Sequence, residues 1–139
     1  MLLKKNIKYE WSDEQEEAFK TLKEKLITAP VLAYPDFSKD FFLFTDSSGT
    51  ALGAILSQKD QEGREKVIHY ASRNMTSAEK NYTVTEQECL AVVWSVSYFR
   101  QYLHGTRFTI VTDHSALKSL LRHQLLKGRL ARWILSLQE

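Results

Sequence analysis

The sequence predicts an α/β fold, an open mixed sheet with helices on its faces, and three observations carry that prediction. Two segments, Phe41-Phe42-Leu43-Phe44-Thr45-Asp46-Ser47-Ser48-Gly49 and Phe108-Thr109-Ile110-Val111-Thr112-Asp113-His114-Ser115, share one design: aromatic and β-branched residues ending in Thr-Asp-polar. Each reads as a buried strand that delivers a carboxylate at its C-terminal tip. Between them, apolar residues at 89, 92, 93, 96 and 99 recur at helical spacing. A crossover helix there lets the second strand lie parallel to and beside the first, and ligands of such sheets sit beyond the carboxyl ends of the strands.

The elements follow in order. Residues 1–10 are polar. Ser12 is placed to cap a helix from about Asp13 to Thr28, with acidic residues in its first turns and Lys20, Lys23 and Lys25 later, as the macrodipole favours. Phe19, Leu22 and Leu26 form its apolar stripe and Pro30 ends it. Strands are expected over Phe41–Asp46, Ala51–Gln58 and Val67–Ser72, the latter pair joined by the hairpin turn Lys59-Asp60-Gln61-Glu62-Gly63. Gly49 and Gly53 permit tight backbone geometry after Asp46. A helix from about Thr85 to Leu103 ends near Gly105, a strand covers Phe108–Asp113, and helical stretches over Ala116–Leu121 and about Leu125–Gln138 complete the chain.

Glu88 precedes Val92 by four residues and Val96 by eight, so it projects from the face that buries those valines. A carboxylate there is costly unless it is paired or bound to a metal. Asp46, Glu88 and Asp113 are therefore candidate ligands of one metal site. Each also has a plainer reading. Asp46 before Ser-Ser-Gly is a natural turn residue, Asp113 can cap the helix that follows, and Thr85-x-x-Glu88 fits a capping box.

The 139 residues, 43% of them hydrophobic, suffice for one core plus an N-terminal extension. A formal charge of +2 says little until divided along the chain: seven Lys/Arg and one acid, Asp113, lie between Arg100 and Gln138. That quarter is the candidate phosphate-facing surface, against the alternative of a solvated basic face. One cysteine, Cys89, excludes an internal disulfide and a multi-cysteine zinc site. The four histidines lack zinc-ligand spacing, no Gly-x-Ser-x-Gly elbow occurs, and no apolar run approaches the roughly 18 residues a membrane span needs. The chain reads as soluble and intracellular, with cytoplasmic, particle-associated and nuclear placement all open. Trp94, Tyr98 and Phe99 are expected in the core or at its margin.

The order strand-Thr-Asp-Ser-Ser, Gly-Ala-Ile-Leu-Ser-Gln, Tyr-x-x-x-Glu-x-Glu-x-Leu-Ala and Tyr-Leu-x-Gly-x-x-Phe-x-x-x-Thr-Asp-His resembles the ribonuclease H domain of gypsy-class long-terminal-repeat retrotransposon reverse transcriptases. Upstream, Trp11, Ala18-Phe19-Lys20-Thr21-Leu22-Lys23, Ala29-Pro30-Val31-Leu32 and Pro35-Asp36 resemble the segment leading from the polymerase thumb into that domain. The resemblance runs from about residue 10 to the end. It divides the chain into an N-terminal helical segment, 1–36, and a ribonuclease H-like domain, 37–139. In that family a further strand follows Arg129-Leu130-Ala131-Arg132-Trp133, and an Ala-Asp-Ala-Leu-type motif supplies a fourth acid. The chain stops at Glu139, so the domain is expected to lack its last strand and the site its fourth ligand.

The resemblance implies hydrolysis of the RNA strand of RNA–DNA hybrids by two Mg²⁺ (or Mn²⁺) ions roughly 4 Å apart. Asp46 would bridge both ions and Glu88 and Asp113 would hold one each. Activity of residues 1–139 alone is expected to be low or absent. Ser47, Ser48 and Gln58 are candidates for the sugar-phosphate backbone, where a 2′-hydroxyl contact would select RNA. His114 is a candidate for phosphate or water, or is passive; Arg122, Lys127, Arg129 and Arg132 are candidates for phosphates. The expected partners are the hybrid and the polymerase domain of the same polyprotein, with no membrane. Alternatives are a non-catalytic module of the same fold that binds hybrid or braces a polymerase, and a host protein derived from such an element.

Overall fold

The computed structural model describes residues 10–27, 32–114, 117 and 129–136. The chain divides into two compact units between Ala33 and Tyr34. In the first, helix α1 spans Asp13–Ile27 and buries none of its residues. Its start is tied by Gln15, whose side-chain oxygen accepts from both the backbone amide and the hydroxyl of Ser12. Trp11 donates to Glu16 and packs edge-on against Phe19.

In the second unit, side-chain alternation along β1 (Phe41–Ser47) defines two faces. Phe41, Leu43 and Thr45 are buried, Phe42 and Phe44 half-buried, and Asp46 exposed. Strands β2 (Ala51–Lys59) and β3 (Glu65–Asn74) follow as a hairpin, and β4 (Phe108–Val111) completes the sheet among the described residues. The order is β3-β2-β1-β4, with β1 antiparallel to β2 and parallel to β4. The expected crossover is present as α2 (Val84–Tyr98), which packs on β1 and β2. Phe41, Leu43, Ala54, Leu56 and Ile68 form the core beneath it with Phe99 and Leu103.

The expected helix to Leu103 breaks at Phe99 (φ −93°, ψ 14°), and a short α3 (Arg100–Leu103) resumes it. The break lets Phe99 enter the core completely, at 0% exposure, with Tyr98 left at the surface and Trp94 half-buried. Gly105 then turns the chain into β4 at φ 74°, and Gly63 closes the β2–β3 hairpin at φ 76°. Gly49 and Gly53 do not need glycine's freedom: neither has positive φ, and a Cβ at Gly53 would meet only ordinary contact with the Asp46 carbonyl at 3.9 Å.

Helix α4 (Arg129–Ser136) packs on α2 through Leu130 and Trp133, and Leu117 is buried in the same cluster. The expected helix over 116–121 lies outside the described residues except for Leu117, as do 125–128 of the terminal one.

Candidate metal centre

The three acids come together because each element ends or turns at one place. Asp46 is the penultimate residue of β1, and Asp113 lies two residues past the end of the parallel neighbour β4. With Phe44 opposite Val111 in the ladder, the two strands deliver their carboxylates side by side. Glu88 comes from the second turn of α2. One carboxylate oxygen from each of Asp46, Glu88 and Asp113 lies within 4.8 Å of the others. Asp46 and Asp113 are exposed and Glu88 is buried, at 5% exposure.

The cap of α2 removes the plainer reading of Glu88. Thr83, not Thr85, is the N-cap: its hydroxyl accepts from the Glu86 amide, while Glu86 accepts from the Thr83 amide. Glu86 is thus held by the capping box, and Glu88, two residues further in, has no role in it. Its Oε1 accepts from the Ser47 hydroxyl at 2.6 Å, while Oε2 is buried with no hydrogen-bond partner among the described residues. Leaving a buried carboxylate oxygen bare is expensive, and three acids crowded together repel. A divalent cation answers both costs, so the donor set, all oxygen and triply anionic, fits Mg²⁺ or Mn²⁺.

The other expected site residues fall in different places. Ser48 is exposed, and its hydroxyl accepts from the amides of Thr50 and Ala51, so it shapes the β1–β2 turn. Ser47 is half-buried and turned to Glu88. His114 is half-buried, its Nε2 3.2 Å from the Thr85 hydroxyl on α2, which ties the segment after β4 to that helix. Arg132 is exposed on α4; Arg129 opens that helix; Arg122 and Lys127 lie outside the described residues.

Gln58 departs from its expected place on a nucleic-acid surface. It is 5% exposed, its Oε1 accepts from the Asp36 amide, and its Nε2 donates to the carbonyls of Asp36 and Lys39. A register shift in the β2–β3 ladder between Leu56 and Ser57 accompanies this, so that Leu56, Ser57 and Gln58 are buried consecutively. Gln58 is a clamp on the chain leading into β1.

On the sheet face away from α2, an open groove of about 720 Å³ is lined by Phe44, Ile55, Tyr70 and Val111, with Asp46 and Asp113 at its end. Cys89, beside Glu88, is 1% exposed, and burial pushes its thiol up to about 11, which favours the neutral thiol of a core residue. Among the described residues, no helix is long and apolar enough to cross a membrane.

Known proteins resemble this chain in sequence and in fold. The chain is 44% identical over 138 residues to a retrovirus-related Pol polyprotein from transposon 412 of Drosophila melanogaster, covering 99% of the chain and 11% of the relative. It is 39% identical over 142 residues to the transposon Tf2-3 polyprotein of Schizosaccharomyces pombe, with the same coverage. It thus spans about a tenth of the length of these relatives. Among solved structures, a foamy viral protease-reverse transcriptase in complex with RNA/DNA hybrid superposes with a TM-score of 0.61 at 17% identity, over 94% of this chain and 18% of that one, which is a likeness of fold. The family model for the RNase H-like domain found in reverse transcriptase matches residues 36–139, and the chain belongs to that family.

Proposed function

We propose that this chain is the nuclease domain of a gypsy-class retrotransposon reverse transcriptase and hydrolyses the RNA strand of RNA–DNA hybrids with divalent metal. Residues 1–36 are read as the segment leading from the polymerase thumb, and the polymerase domain of the same polyprotein as a partner. The observation that carries the reading is the meeting of Asp46, Glu88 and Asp113, one of them buried with an unpartnered oxygen.

Asp46, Glu88 and Asp113 would hold the cation, Mg²⁺ or Mn²⁺, and Asp46, between the other two elements, is the candidate to bridge a pair of ions. Bound there, the metal supplies activation of water and stabilisation of the departing 3′ oxygen. The chain's own part is to fix the ligands. β1 and β4 hold Asp46 and Asp113 through their ladder, and α2, packed on β1, presents Glu88. His114, restrained by Thr85, is the candidate to contact a phosphate or orient water. The hybrid itself is held by charge: Arg132 and the other basic residues of the C-terminal quarter are the candidate phosphate contacts.

The test is cleavage of a labelled hybrid in Mg²⁺ and in Mn²⁺. The chain is expected to cut the RNA strand slowly, and Asp46→Asn to lose cleavage while retaining hybrid affinity, since phosphate contacts and not the metal site set affinity. Cleavage by Asp46→Asn at the unaltered rate refutes the nuclease reading. Hybrid binding with neither metal binding nor cleavage leaves the non-catalytic module.

A further inference from the structure

Asp46 and Ser47 are consecutive, so alternation on β1 sends them to opposite sides of the strand. Asp46 goes to the exposed end of the groove; Ser47, paired with Leu52 of β2, goes to the side covered by α2. There its hydroxyl meets Glu88 Oε1 at 2.6 Å, across 41 residues of sequence. A serine hydroxyl has one proton to give, and this one is committed to Oε1. The opposite oxygen, Oε2, is left buried and, among the described residues, without a partner.

We infer that Ser47 is a positioning residue for the metal site: it locks the Glu88 carboxylate so that Oε2 is offered to the cation. The inference rests on the metal-site reading proposed above. It gives Ser47 a task other than donating to a phosphate, because a hydroxyl already donating to a buried carboxylate has no second proton to give. The hydrogen bond also joins Glu88 to the strand tip that carries Asp46, so two ligands from different elements share one rigid anchor. Partners of this kind orient a ligand and withdraw one of its two oxygens from free rotation, and their loss costs metal affinity more than it costs the fold.

The experiment is titration of the 139-residue chain with Mn²⁺ by calorimetry and by electron paramagnetic resonance, alongside the metal-free melting temperature, for the unaltered protein, Ser47→Ala and Ser47→Thr. Ser47→Ala is expected to weaken Mn²⁺ binding roughly tenfold with the metal-free melting temperature little changed. Ser47→Thr, which keeps the hydroxyl on a residue suited to a strand, is expected to recover most of the affinity. Equal Mn²⁺ affinity in Ser47→Ala and the unaltered chain overturns the inference and leaves the metal site standing, as does a fall in metal-free stability with affinity preserved. Failure of the unaltered chain to bind Mn²⁺ removes the metal-site reading itself, and this inference with it.

Discussion

Two acids within ten residues of each other meet opposite fates in this fold. Glu79, in the 3-10 turn Glu79–Asn81 ahead of α2, receives both guanidinium nitrogens of Arg73, at 2.7 and 2.9 Å, and the amide of Thr76 at 2.8 Å. Arg73 in turn lies over the Trp94 ring, 5.7 Å from its centroid. Glu88 receives one hydroxyl, has two further acids for neighbours, and keeps one buried oxygen bare. The first carboxylate carries its cation within the chain. The second has no such cation among the described residues, and what distinguishes a structural acid from a candidate functional one here is where the compensating charge comes from.

The sharpest way to break that comparison is to supply the missing charge. Mg²⁺ or Mn²⁺ at a hundred times its dissociation constant should stabilise the chain by roughly 2.7 kcal/mol, about 10 °C in melting temperature for a domain of this size. Asp46→Asn and Asp113→Asn should each remove most of that shift while raising the metal-free melting temperature, because each relieves repulsion around Glu88. A melting temperature indifferent to both ions would make Glu88 a strained structural acid and nothing more.

The closed pair should respond in the opposite sense. Arg73→Ala should cost roughly 1–2 kcal/mol in urea unfolding, as expected for a bidentate, partly exposed pair with an aromatic contact, and no divalent ion should restore it. The Arg73 hydrogen bonds hold the Glu79 carboxyl at about 2, below its ordinary 4.5, and the Thr76 amide assists. A depressed folded value means the unfolded chain takes up the proton more readily. The pair's contribution is therefore whole above pH 4.5 and declines as pH falls towards 2. Across that window the Arg73→Ala variant should lose less stability than the unaltered protein; parallel curves would show that Glu79 is not the acid-sensitive group.

The same contrast shows what was legible in the sequence. Aromatic and β-branched runs ending in Thr-Asp placed β1 and β4, and the spacing of Glu88 to Val92 and Val96 placed its carboxylate on the buried face, because both signals are local and periodic. The cap was ambiguous for an equally local reason: Thr83-x-x-Glu86 and Thr85-x-x-Glu88 are both capping-box patterns, and only the backbone decides between them. Ser47 was within reach, since alternation alone sends it to the side of the strand opposite Asp46. Gln58 was not. Its burial depends on a ladder irregularity that no alternation pattern announces, and on a loop 22 residues upstream that supplies the carbonyls and amide it binds. The break at Phe99 escaped as well, because the helical period continues through it while the demand to bury the ring comes from the sheet.

The smallest effect concerns the exposed basic residue of α4, Arg132. Leu130 and Trp133 anchor α4 against α2, with Trp133 6.0 Å from the Tyr82 ring, and Arg132 between them is exposed. A cation presented outward from an anchored helix is well placed for a phosphate, and it is equally what a solvated helix face looks like. Salt dependence separates the two. If Arg132 contacts one phosphate of a bound hybrid, Arg132→Ala should reduce the slope of log affinity against log salt by about one without changing the melting temperature. The weakening should be alike for hybrids of different sequence, because a phosphate contact carries no base information. An unchanged slope would assign Arg132 to the solvated face and move the nucleic-acid surface to the groove end beside Asp46 and Asp113.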